Sequence, residues 1–214
     1  MKPPTQANTT GWVLAGGRGA RMGGVDKGLQ LFQGQALALR AAQRLRPQVN
    51  TVCLNANRHL DDYRAWGYEV YPDSEQSFAG PLMGFLTGLE NCPTEWLLVV
   101  PCDSPFFPMD LAARLMQAAH AQHTPIATVR APELNPEGAL ELRPQPVFCL
   151  IHQAMKDSLK SFLASGGRKI DAWTSQHPLA WVDFNQASDA TKAFANANTW
   201  AELETLQNPP ASSG

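Results

Sequence analysis

The chain has 214 residues, which is within the range of one α/β domain, and 44% of them are hydrophobic, enough for an ordinary core. Its 17 lysines and arginines against 19 aspartates and glutamates give a net charge of -2, which argues against a general nucleic-acid-binding protein. The four cysteines form no C-x-x-C pair, which argues against a zinc site or a thioredoxin-like motif and favours a reduced, cytoplasmic protein.

Both ends of the chain are polar and are expected to be disordered, at residues 1–10 and 207–214. The first ten residues lack the apolar stretch of a signal peptide. The longest apolar runs, such as 96–101, are too short to span a membrane. We therefore expect one domain over residues 11–206, with no membrane and no nucleic acid as a partner.

Short apolar runs alternate with helical patterns through the first part of the chain. The run at 96–100 is almost entirely apolar, so it is expected to form a central strand that is covered on both faces. The alternation predicts a mostly parallel α/β sheet with helices on both faces. The predicted strands are 12–15, 51–54, 69–71, 96–100 and 126–129, and the predicted helices are 36–45, 60–66, 82–90 and 109–119.

The second part of the chain has a less regular pattern. Residues 131–144 are rich in proline, glycine and glutamate and are predicted to be a loop. A strand is predicted at 146–151 and a helix at 153–164. Thr199 and Glu202 fit a capping box that opens a final helix through residue 206.

A glycine-rich segment, residues 14–27, follows the first predicted strand directly. It holds five glycines together with Arg18, Arg21 and Lys27. Glycines let backbone N–H groups converge on an anion, arginines fork onto phosphate oxygens, and a lysine adds a point charge, so the segment suits a triphosphate. It matches neither the dinucleotide fingerprint nor the P-loop. The alternative is a glycine turn with solvated arginines.

Three polar residues stand at the ends of predicted strands. Asp103 follows the central strand, Asn55 the second and Asp73 the third. Open α/β sheets bind ligands at the carboxyl ends of their strands, so these side chains are candidates for a ligand site. Each could instead cap an ordinary turn.

The segment L-A-G-G-x-x-x-R-M-G-G-x-D-K resembles the signature of molybdenum cofactor guanylyltransferases, which are nucleotidyltransferases with a Rossmann-like sheet. The run P-C-D-x-P-[FY] around Asp103 is similar to the metal motif of that family. The resemblance implies an enzyme that transfers GMP from GTP to the phosphate of molybdopterin (Mo-molybdopterin) and releases pyrophosphate. The product is the molybdopterin guanine dinucleotide cofactor, and Mg²⁺ assists.

The same resemblance assigns roles residue by residue, with the GTP and Mg²⁺ side mainly in 11–108 and the pterin side mainly in 109–206. Asp103 matches the Mg²⁺ ligand, and it is a catalytic residue together with Lys27 and Arg21. The nucleotide-binding positions are Leu14, Ala15, Gly16, Gly17, Lys27, Asn55, Asp73 and Asp103. The weaker candidates for the acceptor side are Arg168, Lys169, Asn196 and Asn198, although a solvated basic pair and a lead into the capping box are alternatives for them.

Three other functions stay open. The first two are a CTP-dependent molybdopterin cytidylyltransferase and a sugar-phosphate nucleotidylyltransferase, and Gly16 favours GTP because related cytidylyltransferases tend to carry alanine there. The third is a non-catalytic nucleotide-binding protein, which would have lost Lys27 or Asp103. The resemblance also implies partners among other molybdenum-cofactor biosynthesis proteins and apo-molybdoenzyme chaperones.

Overall fold

A computed structural model of the chain describes residues 1–15, 25–74, 80–135, 137–187, 189–190, 193–197 and 202. In those residues the strands are β1 (Thr9–Leu14), β2 (Leu31–Phe32), β3 (Gln35–Ala36), β4 (Thr51–Asn55), β5 (Glu69–Tyr71), β6 (Trp96–Pro101), β7 (Ile126–Leu134), β8 (Leu140–His152) and β9 (Leu179–Asp183). The α-helices are α1 (Leu37–Leu45), α2 (Leu60–Arg64), α3 (Pro81–Asn91), α4 (Leu111–Ala121), α5 (Lys156–Ala164) and α6 (Ile170–Thr174). Every strand and helix predicted before residue 130 is therefore present. β7 ends five residues beyond its prediction, and the other ends differ by at most three residues.

Seven of these strands form one sheet in the order β5-β4-β1-β6-β8-β7-β9, over the part of the chain that the structure describes. β1 pairs in parallel with β4 and with β6, and β5 continues the parallel side next to β4. β8 runs antiparallel to both of its neighbours, β6 and β7, while β9 is parallel to β7. The predicted mostly parallel α/β fold is confirmed, with one reversed strand inserted in it.

The central position predicted for β6 is confirmed by its burial. Its residues alternate between two cores: Leu98 and Val100 face the core that α1 and α4 cover, whereas Leu97 and Val99 face the core under α3 and α5. A strand with helices on both faces has no polar side, which explains the nearly continuous apolar run. This double cover holds the carboxyl end of β6 in a rigid place.

The loop predicted at 131–144 is wrong. Residues 131–134 of β7 pair with residues 140–143 of β8, beyond the points where β6 and β9 stop pairing with them. This two-stranded extension, called the arm below, leaves the sheet at the edge where β6 ends. Most of its side chains are exposed, so it shows no apolar alternation to mark it as strand. The predicted strand at 146–151 is accordingly only the buried part of β8.

The N-terminal residues also differ from the expectation of disorder. Thr9 and Thr10 are buried residues of β1. The Trp96 indole donates a hydrogen bond to the carbonyl of Lys2 at 3.1 Å, and the Lys2 ammonium pairs with Glu95 at 3.1 Å. The segment is polar, and the contacts of Lys2 are made by its backbone and its charged group.

Other differences concern short elements. Helix α6, strand β9 and the β2–β3 hairpin carry too few residues to show a period in the sequence. The first residues of the helix predicted at 153–164 form a separate turn at Gln153–Met155. The predicted final helix and tail lie outside the described residues except for Glu202, and none of the described helices has the length and apolarity that a bilayer crossing requires.

Candidate active site

The order of the strands creates a crevice next to β1. The chain runs from β1 to β4 and β5 on one side and then returns to β6 on the other. Leu14 and Pro101, the last residues of β1 and β6, are register partners, and Cys102 N donates to the carbonyl of Leu14 at 3.1 Å. Ligands of open α/β sheets bind where the strand order switches in this way.

Two predicted site residues meet at this crevice although 76 positions separate them. The Lys27 ammonium lies 2.5 Å from Oδ2 of Asp103. Both side chains are partly enclosed, with 17% of Lys27 and 18% of Asp103 exposed. Lys27 is the last residue of the glycine-rich segment, and Asp103 follows β6. Their contact therefore brings the glycine-rich motif and the P-C-D-x-P-[FY] motif together.

The charges around this pair are predominantly negative. Burial raises the pKa of the Cys102 thiol, and the carboxylates of Asp103 and Asp26 raise it further, while the Lys27 ammonium opposes them. Cys102 therefore stays a neutral thiol and is not a nucleophile. Among the described residues, two carboxylates and one ammonium act on this thiol, so a cation can be accepted next to Asp103.

Asp103 is the residue that could hold that cation. Within the described ranges no group of three or more histidine, cysteine, aspartate or glutamate side chains forms a protein-only metal cage. Mg²⁺ is commonly bound by one or two carboxylates plus the phosphate oxygens of a substrate, so a partly exposed carboxylate at the crevice fits it. The donor set thus suits a metal that arrives with a phosphorylated ligand.

Asn55 and Asp73 are in direct contact at the ends of β4 and β5. Asn55 is 3% exposed, and its Nδ2 donates to Asp73 Oδ1 at 2.9 Å and to the carbonyl of Tyr71 at 3.1 Å. Asn57, which the sequence interpretation did not select, donates from Nδ2 to Asp73 Oδ2 at 2.8 Å and accepts from Asp73 N at 2.8 Å. The Asp73 carboxylate is therefore oriented by two amides. The spacing of Asn55 and Asn57, two residues apart, is the signal that could have identified Asn57.

Helix α3 closes against the same strand ends. A Cβ at Gly84 would lie 2.6 Å from Asn55 Oδ1 and 2.6 Å from Leu14 Cδ2, closer than side chains approach. The helix starts at Pro81 after Gly80, whose φ of +126° is a conformation that side chains rarely adopt. The stretch from Gly80 to Gly84 therefore opens a helix that packs directly against Asn55.

Three polar residues hold the loop that follows Asp103: two lie on α1, and the third lies in the 3-10 turn Arg46–Gln48 directly after it. The Arg44 guanidinium donates to the carbonyls of Phe106 and Phe107, Arg40 donates to Pro105 at 3.3 Å, and Gln48 donates to Pro108 at 3.2 Å. Burial, assisted by the charge of Arg40, lowers the pKa of Arg44. Their spacing of four residues places them on one helix face. The sequence interpretation missed them because their partners are backbone carbonyls.

One of the weak acceptor candidates, Asn196, lies at the crevice. Ser104 Oγ donates to Asn196 Oδ1 at 2.6 Å, and Ala197 N donates to the carbonyl of Asp103 at 2.8 Å. The C-terminal segment is thereby tied to the loop that presents Asp103. Asn196 itself is exposed and can contact a ligand.

Arg168 and Lys169 lie elsewhere, between α5 and α6. Both are exposed, and Arg168 donates to the carbonyls of Leu163 at 3.0 Å and Gly167 at 2.6 Å. The carbonyl of Arg168 is 3.9 Å from where a Cβ of Gly80 would stand, so this segment passes the start of α3. The basic pair shares the edge of the sheet with Asp103 but lies on the face that α3 and α5 cover.

The remaining predicted residues divide into two groups. Leu14 and Ala15 are described: Ala15 is buried, and its N–H donates to the carbonyl of Asn55 at 2.8 Å. Gly16, Gly17, Arg18, Arg21 and Asn198 lie outside the described residues. Ala15 and Val25 mark the two points between which the rest of the glycine-rich segment runs.

The comparisons with known proteins agree with one another. The model of the MobA-like NTP transferase domain matches residues 11–179. A molybdenum cofactor guanylyltransferase of Acidovorax sp. (strain JS42) is 56% identical over 199 residues, which is 92% of this chain and 94% of that one. The enzyme of the same name from Albidiferax ferrireducens is 52% identical over 204 residues, covering 94% of this chain and 97% of that one.

Two solved structures have the same fold at low identity. The molybdopterin-guanine dinucleotide biosynthesis protein A from Archaeoglobus fulgidus superposes with a TM-score of 0.74 at 17% identity, over 92% of this chain and 96% of that one. A putative glucose-1-phosphate thymidylyltransferase from Bacillus anthracis gives 0.69 at 13% identity, over 93% and 94%. At these identities the likeness concerns the arrangement of strands and helices.

Proposed function

The chain belongs to the MobA-like NTP transferase family, among the molybdenum cofactor guanylyltransferases, and from that membership we propose how its own residues carry out the transfer. The reaction moves GMP from GTP to the phosphate of molybdopterin and releases pyrophosphate. The observation that carries the proposal is the contact of Lys27 with Asp103 at the switch point of the sheet. It brings a phosphate-binding cation and a metal-binding anion to one place.

Lys27 and Arg21 bind the triphosphate and neutralise the charge that grows on the departing pyrophosphate. Such transfers depend on positioning and on charge neutralisation more than on covalent help from the protein. Asp103 would hold Mg²⁺, which supplies positive charge next to the phosphate oxygens when it is bound. Lys27 then exchanges its contact with Asp103 for a contact with phosphate.

The acceptor needs no general base. A phosphate monoester has a second pKa near 6 and is already a dianion at neutral pH. One of its oxygens attacks the α-phosphorus of GTP, and the bond from that phosphorus to the oxygen that bridges to the β-phosphate breaks. The electron pair leaves with pyrophosphate. The protein must align the acceptor dianion with that bond, although the acceptor phosphate and the triphosphate are both negatively charged and repel each other.

The guanosine lies against the ends of β1, β4 and β5. Asn55 and Asp73 bind it, and Leu14 through Gly17 pass along it with their backbone. Asp73 suits a guanine because a carboxylate accepts hydrogen bonds from neighbouring N–H groups, and Asn55 and Asn57 orient its two oxygens. Gly16 leaves room where a Cβ would crowd the nucleoside.

The acceptor lies on the other side of Asp103. Asn196 and Asn198 approach it from the C-terminal segment, and the contact of that segment with the Asp103 loop supports this side. Arg168 and Lys169 attract the acceptor phosphate from the neighbouring face.

The partners are GTP and molybdopterin, followed by other cofactor-biosynthesis proteins and apo-molybdoenzyme chaperones. We place the enzyme in the cytoplasm, in keeping with four free cysteines that are all buried.

Pyrophosphate release with each of the four nucleoside triphosphates, in the presence of molybdopterin and Mg²⁺, tests the proposal. We expect release with GTP and little with CTP, ATP or UTP, and none when molybdopterin or Mg²⁺ is omitted. Equal rates with CTP would favour the cytidylyltransferase alternative. Release with a sugar phosphate as the acceptor in place of molybdopterin would overturn the proposed acceptor.

A further inference from the structure

Asp26, near the end of the glycine-rich segment, forms a buried pair with Tyr63 that the proposed transfer chemistry does not use. The Tyr63 hydroxyl donates to Oδ1 of Asp26 at 2.6 Å. Tyr63 is fully buried on α2, and Asp26 is 7% exposed. The same carboxylate oxygen accepts from Gly28 N at 3.1 Å. A carboxylate that has lost most of its water depends on such donors, so the pair is held firmly.

The pair also pins the two ends of the glycine-rich segment to each other. A Cβ at Gly28 would stand 2.3 Å from the Tyr63 hydroxyl and 3.0 Å from the Cβ of Ala15. Ala15 directly precedes residues 16–24, whereas Gly28 lies just after them. Ala15 and Gly28 therefore approach each other closely, and Tyr63 fills the space next to Gly28.

Asp26 and Lys27 are neighbours in the chain whose side chains have different partners. The Asp26 carboxylate contacts Tyr63, and the Lys27 ammonium contacts Asp103. Burial raises the pKa of Tyr63, and the hydrogen bond and charge of Asp26 raise it further. The hydroxyl therefore stays protonated and remains a donor at every pH at which the enzyme would work.

We propose that Tyr63 is a positioning residue for the transfer reaction, because its hydroxyl holds Asp26 away from Lys27 and leaves the ammonium to the phosphates. Without that donor, the Asp26 carboxylate keeps the Gly28 N–H and turns toward the ammonium of Lys27, the adjacent residue in the chain. The ammonium is then drawn away from the outer phosphates of GTP. This inference rests on the proposed role of Lys27 in binding the triphosphate.

The test compares GTP and GMP binding by calorimetry in Tyr63→Phe, which removes one oxygen and keeps the ring. We expect GTP affinity to fall roughly tenfold, the value of one hydrogen bond to a charged group, with GMP affinity unchanged. Tyr68→Phe is the matched control, since Tyr68 packs against the same core and has no hydroxyl bond among the described residues. It should leave both affinities unchanged.

A double-variant cycle separates positioning from a general loss of structure. In Lys27→Ala, which itself should lose GTP and retain GMP binding, adding Tyr63→Phe should cause no further loss. An equal loss of GTP and GMP in Tyr63→Phe, or a full further loss in the double variant, overturns the role of Tyr63. If Lys27→Ala binds GTP normally, the proposed role of Lys27 fails instead. Asp26→Ala removes the competing carboxylate, so adding it to Tyr63→Phe should restore the GTP affinity that Tyr63→Phe loses, and a double variant that stays weak for GTP overturns the proposal.

Discussion

The two sides of the sheet build their parts of the site in different ways. On the β5-β4-β1-β6 side every strand is parallel, so all four carboxyl ends meet at one edge. Each end carries a candidate site residue at or within two positions of the strand's last residue: Asp73, Asn55, Leu14 and Asp103. On the β8-β7-β9 side, β8 runs the opposite way, and its carboxyl end at His152 lies at the far edge.

The difference follows from strand direction. Repeated parallel connections return the chain to the same edge, so a motif just after each strand converges on one ligand. An antiparallel strand places its following residues away from that edge, and the site must take its contacts from other segments. For the acceptor side we accordingly propose the C-terminal segment around Asn196, while the arm projects from the same edge.

The largest effect is expected on the parallel side, from Asp103→Asn. The substitution keeps the size and the hydrogen bonding of the side chain but removes the charge that holds Mg²⁺. Guanylyl transfer should fall by roughly two to four orders of magnitude, since metal-assisted charge stabilisation is worth several kcal/mol. The melting temperature should change little. Near-normal transfer by a well-folded variant would remove Asp103 as the metal ligand.

Lys27→Ala should give the next largest effect. The ammonium is placed for the outer phosphates, which GMP lacks, so GTP affinity should fall roughly tenfold to a hundredfold while GMP affinity is nearly unchanged. Calorimetry with both nucleotides measures the difference. Equal losses would mean that Lys27 contacts the shared α-phosphate or the nucleoside.

Gly84→Ala tests whether α3 holds the ends of β1 and β4 in the arrangement that is proposed to bind GTP. The new Cβ would collide with Asn55 and Leu14, so the free energy of unfolding should fall by about 1–3 kcal/mol and GTP affinity should fall with it. Gly88→Ala is the matched control: its Cβ would lie 2.7 Å from Leu97 and 3.0 Å from Trp12, one helical turn away from the strand ends. It should lose similar stability but retain GTP affinity. Retained affinity in both variants would argue against a role of α3 in the site.

On the mixed side the expected effects are smaller. The double variant Arg168→Ala/Lys169→Ala removes exposed charges, so the KM for molybdopterin should rise about threefold to tenfold and the KM for GTP should stay constant. The rise should shrink at high salt, because exposed charges are screened. Steady-state kinetics at two ionic strengths measure this, and an unchanged KM at low salt assigns the pair to a solvated surface.

The smallest effect is expected in the arm. Leu134 is 70% exposed at its tip, so Leu134→Ser should change the free energy of unfolding by no more than about 0.5 kcal/mol. Denaturant unfolding measures it. Lys160→Ser in α5, another exposed position, is the control. A clear loss of stability in the arm variant alone would show that the arm packs against another surface in solution.

Sequence and structure agree best where the sequence pattern involves residues that are close together in the chain. The apolar run of β6 and the polar residues after three strands, β4, β5 and β6, could be predicted because each depends on neighbours in the chain. Asn57, Arg40, Arg44 and Tyr63 were not, since their partners lie between 16 and 65 positions away. The arm was misread as a loop because exposed paired strands lack the alternation that burial imposes.

By itself the sequence determined the parallel α/β architecture and the family resemblance, and it selected the candidate residues for the nucleotide, because these depend on periodicity and on short motifs. The tertiary structure decided that Lys27 touches Asp103, that two asparagines orient Asp73, and that Tyr63 donates a hydrogen bond to Asp26. It also decided that β8 runs against its neighbours. These are contacts between distant parts of the chain, and they exist only once the two faces of the sheet are buried and the strand order is set.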